Sequence, residues 1–138
     1  MNSERPYILL ADDDPDDLAL FTQAFCEANP HARVEAFADG QEILDYLGSC
    51  SEDELPSLIL LDYKMHVVTG PEVLQQLSSD VRLAHIPVVV WSTSERSEDI
   101  ENCVHLGAAG YFLKPASSAE LNVLVQKIEL ICAAQLQQ

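Results

Sequence analysis

Short apolar runs alternate with helical patterns five times along this chain, and no other feature constrains its fold as strongly. The apolar runs occupy residues 7–11, 34–37, 58–61, 87–91 and 110–113. Most of them are apolar at nearly every position, as strands are when helices cover both faces of their sheet. Strict alternation of strands and helices predicts an α/β fold, with a parallel sheet between two helical layers.

Residues with capping chemistry mark where the helices begin. Asp14 followed by Pro15 has the order of an N-cap and a proline at the first helical position. Asp39 is placed to cap a second helix, and Ser117 and Glu120 have the spacing of a capping box before the last one. Because no repeat, linker or composition shift interrupts the pattern, we predict a single domain over residues 1–138.

Composition excludes several classes of function. The chain has 138 residues and a formal net charge of −16, which disfavours nucleic acids and anionic membranes as partners. Residues 1–6 have no apolar leader, no run has membrane-spanning length, and the terminal glutamines are interpreted as a frayed helix end. The four cysteines form no CxxC pair, so we expect reduced structural thiols in a cytoplasmic protein.

Polar residues occur where the predicted strands end. Asp12 and Asp13 follow the first strand, Asp62 follows the third, Ser92 the fourth and Lys114 the fifth. In open parallel sheets the ligand crevice lies outside the carboxyl ends of the strands. Three carboxylates, a hydroxyl and an ammonium from distant parts of the chain are therefore predicted to meet at one rim.

This set of groups is suited to phosphoryl chemistry. Clustered carboxylates raise one another's pKa unless a cation neutralises them, and Mg²⁺ prefers oxygen ligands of this kind. An aspartate is also a competent nucleophile that forms a covalent intermediate with phosphorus. Transfer then requires positioning and charge neutralisation, which a metal ion, a lysine and a hydroxyl supply.

Four segments carry a resemblance to a known family. They are ILLADDDPDD at 8–17, LILLDYKM at 58–65 with Gly70 following, PVVVWST at 87–93 and GAAGYFLKP at 107–115. In this order the chain resembles the receiver domain of two-component response regulators, and especially single-domain receivers of the chemotaxis and phytochrome-associated types. The resemblance implies a doubly wound, flavodoxin-like five-stranded sheet of order 2-1-3-4-5.

The resemblance also implies roles around a bound Mg²⁺. Asp62 matches the phosphoacceptor at the end of the third strand. Asp13 is expected to bind the metal most directly and Asp12 through water. Lys64, two residues after the acceptor, is expected to lend its backbone carbonyl to the ion.

Further roles follow by position along the last two strands. Ser92 matches the hydroxyl that bonds the phosphoryl group and draws its loop inward. Lys114 is expected to pair with a phosphoryl oxygen, and the resemblance implies a cis peptide bond between it and Pro115. Tyr111 matches an aromatic switch that turns inward on activation, although an ordinary packing role remains open at this point.

Some positions depart from the family pattern. Lys64 is an unusual residue type at its position, and its ammonium is expected to compete with a metal ion for the acidic pocket. His66 stands where a proline is usual, which frees the loop after the acceptor. Thr93 is bulkier than the small residue expected there and is predicted to slow access to Asp62.

The implied function is a phosphorelay switch. A sensor histidine kinase or a histidine phosphotransfer protein donates to Asp62, and the response reaches a downstream protein through the fourth helix, fifth strand and fifth helix. No output domain is expected, nor enzyme activity beyond the domain's own phosphorylation and dephosphorylation, and a homodimer is left open. Two alternatives are a binding module in which Lys64 replaces phosphorylation, and a phosphatase of the haloacid-dehalogenase type, for which the chain is short.

Overall fold

The computed structural model describes residues 5–136. Most of the leader-free N-terminal segment 1–6 and the last two glutamines, which are expected to form a frayed helix end, lie outside the described residues. Five parallel strands form one sheet of order β2-β1-β3-β4-β5, which confirms the predicted fold class and strand order. The strands are β1 Tyr7–Ala11, β2 Arg33–Phe37, β3 Leu58–Asp62, β4 Val88–Ser92 and β5 Gly110–Leu113. The helices are α1 Pro15–Ala28, α2 Gly40–Ser49, α3 Gly70–Ser79, α4 Ser97–His105 and α5 Ser118–Leu136, with a 3₁₀ turn at Glu52–Glu54.

Alternating side chains of the strands bury two separate apolar layers. Leu9, Leu61 and Val90 point to one face, where residues of α2, α3 and α4 cover them. Ile8, Leu10 and Trp91 point to the other face, where residues of α1 and α5 cover them. Because both faces are covered, β3 and β4 are buried at every position, as the apolar runs predict.

The predicted helix caps form with small differences. The Asp14 carboxylate accepts the backbone N–H of residue 16 at 2.9 Å, and the Asp39 carboxylate accepts that of residue 42 at 2.8 Å. Ser117 Oγ accepts the N–H of Glu120 at 3.2 Å, but the Glu120 carboxylate accepts from Ala116, one residue earlier than a standard capping box. These caps fix where α1, α2 and α5 begin.

Strand register brings the strand ends to one edge of the sheet. Ala11 of β1 pairs with Leu61 of β3, and Asp62 pairs with Trp91 of β4. The Lys114 N–H donates to the Ser92 carbonyl at 2.8 Å and so continues the pairing of β4 with β5. The strands β3 and β4 end at Asp62 and Ser92, one residue later than the sequence predicts.

The structure also bears on the predictions about membrane-spanning segments and cysteines. No helix within residues 5–136 is both long enough and apolar enough to cross a lipid bilayer. The cysteines are free, as their spacing predicts: Cys26, Cys50, Cys103 and Cys132.

Gly70 connects the fold to the rim, because the start of α3 lies directly against the end of β3. A Cβ atom at Gly70 would overlap the carbonyl oxygen of Asp62 and would lie 3.0 Å from the Cα of Tyr63. We expect Gly70→Ala to lower the free energy of unfolding by about 1 to 3 kcal/mol, measured by chemical denaturation, because backbone cannot yield as a flexible side chain can.

Gly48 provides the matched control for this substitution. It lies in α2, and a Cβ atom added there would have nothing within 4 Å, so Gly48→Ala should leave stability unchanged or raise it by about 0.5 kcal/mol. Equal effects of the two substitutions would contradict the close approach of α3 to β3.

Candidate functional site

Three carboxylates meet at the carboxyl edge of the sheet. One oxygen of each of Asp12, Asp13 and Asp62 lies within 4.8 Å of the others. Asp12 and Asp62 are buried, whereas Asp13 is exposed. Asp12 is held in place from both sides, since its N–H donates to the Phe37 carbonyl and its Oδ1 accepts the N–H of residue 14. We call these three residues the acidic trio.

Lys114 joins the acidic trio to helix α1. Its Nζ lies 2.8 Å from Asp12 Oδ2, 2.8 Å from Asp17 Oδ2 and 3.5 Å from Asp62 Oδ1. The ammonium also lies 5.3 Å from the centre of the Trp91 ring, within cation–π range. Asp17 lies in the acidic first turn of α1, and its contact with Lys114 is a site feature that the strand-end pattern does not reveal.

Burial and like charge set the protonation of the trio. Burial, with the Asp12 charge beside it, raises the pKa of Asp62 to about 7. Burial also raises the pKa of Asp12, although hydrogen bonds from Lys114 and from the backbone oppose the rise. Burial acts to lower the pKa of Lys114, but its bonds with Asp12 and Asp17 outweigh that effect and raise it. One ammonium therefore faces more carboxylate charge than it neutralises.

The donor set of the trio fits a hard divalent cation. All three residues offer carboxylate oxygens, the chemistry that Mg²⁺ selects, and Asp13 is open to solvent, from which waters would supply further ligands. Burial and the neighbouring Asp12 charge disfavour the ionised form of Asp62, so a cation bound beside it would stabilise that form.

Lys64 and His66 follow Asp62 and differ in how they contact the acidic trio. The Lys64 N–H donates to Asp62 Oδ1 at 3.3 Å, but among residues 5–136 its exposed ammonium makes no ion pair with the trio. The predicted competition of that ammonium with a metal ion therefore has no support in its position. His66 Nε2 lies 3.7 Å from Asp13 Oδ2, with its ring almost wholly exposed.

Ser92 and Tyr111 are linked through Ser94. Ser92 is buried, and its Oγ accepts the N–H of Ser94 at 3.0 Å. The half-buried Tyr111 donates its hydroxyl to the Ser94 carbonyl at 2.9 Å. The Tyr111 side chain thus turns inward toward the loop after β4, and its ring also packs against the apolar layer covered by α2, α3 and α4.

The peptide bond between Lys114 and Pro115 corrects one expectation. The family resemblance implies a cis bond, but the described chain contains no cis peptide bond, so this bond is trans. The trans form is the lower-energy isomer before proline as before other residues. Lys114 reaches the trio with the trans bond in place.

Comparison with known proteins identifies the family. The family model of the response regulator receiver domain matches residues 8–126. The chain belongs to this family. Its members are the receiver domains of two-component signalling, so the resemblance predicted from the four segments is confirmed.

Relatives of similar length support the assignment. The receiver is 34% identical to the probable methanogenesis regulatory protein FilR2 of Methanothrix harundinacea, over 94% of this chain and 85% of that protein. It is 32% identical to the two-component response regulator ORR5 of Oryza sativa subsp. japonica, over 89% of this chain and 88% of that protein.

Solved receivers share the fold closely. The phosphorylated cyanobacterial phytochrome response regulator RcpA superposes with a TM-score of 0.82 at 34% identity, over 91% of each chain. The Mn²⁺-bound form of response regulator Rcp1 superposes with a TM-score of 0.79 at 30% identity, over 90% of this chain and 91% of that one.

The raised pKa of Asp62 predicts how the metal-free receiver responds to pH. Folded Asp62 keeps its proton to a higher pH than the unfolded chain does, so folding takes up protons in this window. Stability should fall by about 1 to 3 kcal/mol as pH rises from about 4 to about 7, measured by denaturation with a chelator present. Asp62→Asn should flatten this slope.

Asp53 provides the control because it is exposed in the 3₁₀ turn, away from the trio. Asp53→Asn removes the same charge and should keep the wild-type slope. The interpretation fails if both variants keep that slope.

Proposed function

We propose that this receiver accepts a phosphoryl group on Asp62 in a Mg²⁺-dependent reaction and acts as a phosphorylation-controlled protein-interaction switch. The observation that carries the proposal is the position of Asp62. Its carboxylate is buried at the end of β3, within 4.8 Å of the other trio oxygens and 3.5 Å from Lys114 Nζ. The Asp62 carboxylate as nucleophile, the acidic trio as cation site and the Lys114 ammonium therefore lie within a few ångströms of one another.

The acidic trio and the backbone carbonyl of Lys64 are the groups that we assign to Mg²⁺. When bound, the ion supplies positive charge that stabilises an ionised Asp62 and the oxygens of the transferring group. Asp13 is the exposed member and so offers the entry side. The bond from the Lys64 N–H orients the Asp62 carboxylate.

The reaction is a phosphoryl transfer between two residues. An ionised Asp62 oxygen attacks the phosphorus of a phosphohistidine on the partner, forming an acyl phosphate as the phosphorus–nitrogen bond breaks. The imidazole nitrogen leaves with the bonding electron pair and takes a proton from solvent. Lys114 Nζ is already beside Asp62 and neutralises a phosphoryl oxygen, while the Ser92 hydroxyl donates to another.

The same groups connect the modification to a surface. A new dianion on Asp62 attracts the Ser92 hydroxyl, and Ser92 lies two residues before Ser94, which binds Tyr111. The face formed by α4, β5 and α5 exposes apolar side chains suited to a protein partner. They are Val104, Leu113 and Val123. We assign this face to the downstream partner, with a second copy of the receiver as the competing occupant.

Two observations favour this function over its alternatives. The Lys64 ammonium makes no ion pair with the trio among the described residues, so it does not stand in for a phosphorylation signal there. RcpA was solved in its phosphorylated form and Rcp1 with Mn²⁺, at identities of 34% and 30% to this receiver. Relatives at this level of identity therefore include one receiver that carries the modification and one that binds a divalent cation.

The proposal predicts one added phosphoryl group. Intact-protein mass after incubation with a small phosphodonor and Mg²⁺ should show a single addition, absent in Asp62→Asn and in the presence of a chelator. Asp53→Asn, with the same loss of charge in the 3₁₀ turn, should be modified as the wild type is.

A phosphorylated histidine phosphotransfer protein should serve as a donor in the same assay. The proposal is wrong if neither donor modifies the wild type, or if Asp62→Asn is modified equally.

A further inference from the structure

Asp99, in the first turn of α4, joins two loops at the rim. Its Oδ1 accepts the hydroxyl of Tyr63 at 3.0 Å, and its Oδ2 accepts the hydroxyl of Ser94 at 2.6 Å. We call this pair of hydrogen bonds the Asp99 bridge. Tyr63 directly follows Asp62, and Ser94 lies two residues after Ser92. The bridge therefore connects the segment after the acceptor with the segment after the switch serine.

Ser94 is the point where these contacts meet. Besides its bond to Asp99, it donates its N–H to Ser92 Oγ, and its Oγ accepts the N–H of Arg96 at 3.2 Å. Its carbonyl accepts the Tyr111 hydroxyl, and the Tyr63 and Tyr111 rings meet edge to face at 6.4 Å. Ser94 is buried, so its polar groups depend on these partners rather than on water.

A general helix-start role does not account for Asp99. Glu98 is also an acidic residue in the first turn of α4 and shares any favourable interaction with the helix dipole. Among residues 5–136, Glu98 pairs only with Arg96, at the surface, where both side chains are largely exposed. The hydrogen bond from Ser94 lowers the pKa of Asp99, so its carboxylate is ionised at neutral pH and accepts both hydroxyls.

We propose that Asp99 is a positioning residue that holds the loop between β4 and α4, with Ser92 and the inward Tyr111, in place for phosphoryl transfer before any phosphoryl group arrives. The inference rests on the proposed function for its effect on the reaction. Its effect on the loop is independent of that function, because the contacts are present in the unmodified chain.

The first test is hydrogen exchange in the unphosphorylated protein. Asp99→Ala removes both bonds of the bridge, and amide exchange across residues 93–96 should become about tenfold faster. Glu98→Ala removes the same charge from the same helical turn, and it should leave exchange of residues 93–95 at the wild-type rate because its surface partner, Arg96, lies outside those three residues. Unchanged exchange in Asp99→Ala would overturn the inference whatever the phosphorylation assay shows.

The second test separates positioning from general destabilisation. With a small phosphodonor and saturating Mg²⁺, Asp99→Ala should slow the modification of Asp62 by about three- to tenfold. Its Mg²⁺ affinity, followed by Trp91 fluorescence, should remain that of the wild type, because Asp99 contacts no member of the acidic trio. The double variant Tyr63→Phe with Ser94→Ala should slow the modification at least as much as Asp99→Ala, since it removes the same two bonds and also the bond from the Arg96 N–H to Ser94 Oγ.

The remaining outcomes are also decisive. Faster exchange with an unchanged rate of modification, or with weakened Mg²⁺ binding, would overturn the positioning role. If the wild type takes up no phosphoryl group but exchange still depends on Asp99, the proposed function fails while the loop-holding role of Asp99 stands.

Discussion

The contact of one buried ammonium with several carboxylates is the interaction on which the rim of this receiver depends. Lys114, from the end of β5, reaches Asp12 after β1, Asp17 in α1 and Asp62 at the end of β3. Burying charges is costly unless they are paired, and here pairing is incomplete because carboxylates outnumber the ammonium. Ionised Asp62 therefore opposes folding, and a cation bound beside it would offset this cost.

The doubly wound sheet is what allows such a cluster to form. Parallel strands in this register end side by side, so residues far apart in the chain share one edge. At this edge Asp12 and Asp62 are buried, and burial strengthens the electrostatic interactions between them and their neighbours. The close approach of Gly70 to Asp62 shows that this carboxylate is confined by backbone as well as by charge.

Much of this arrangement could be predicted from the sequence because it is dictated by the backbone. Alternation of elements implies a parallel sheet, and residues at or directly after the strand ends must lie at its carboxyl edge, as Asp62 and Lys114 do. What escaped prediction depends on side-chain direction and helix rotation, which spacing does not specify. Asp17 fits a helix-start pattern, and Asp99 has no motif, so their contacts emerge only from packing. The sequence predicts that Lys64 reaches the acidic pocket, but its ammonium makes no pair with the trio in the described chain.

The most direct test of this account is the unfolding midpoint of metal-free protein as Mg²⁺ is added at about pH 8, where ligand binding to the folded state raises stability. The account predicts a midpoint that rises with Mg²⁺ concentration in the wild type and in Asp53→Asn, and much less in Asp13→Asn, which loses the exposed member of the trio. A wild-type midpoint that does not respond to Mg²⁺, or an equal response in Asp13→Asn, would contradict the claim that the acidic rim is built to receive a divalent cation.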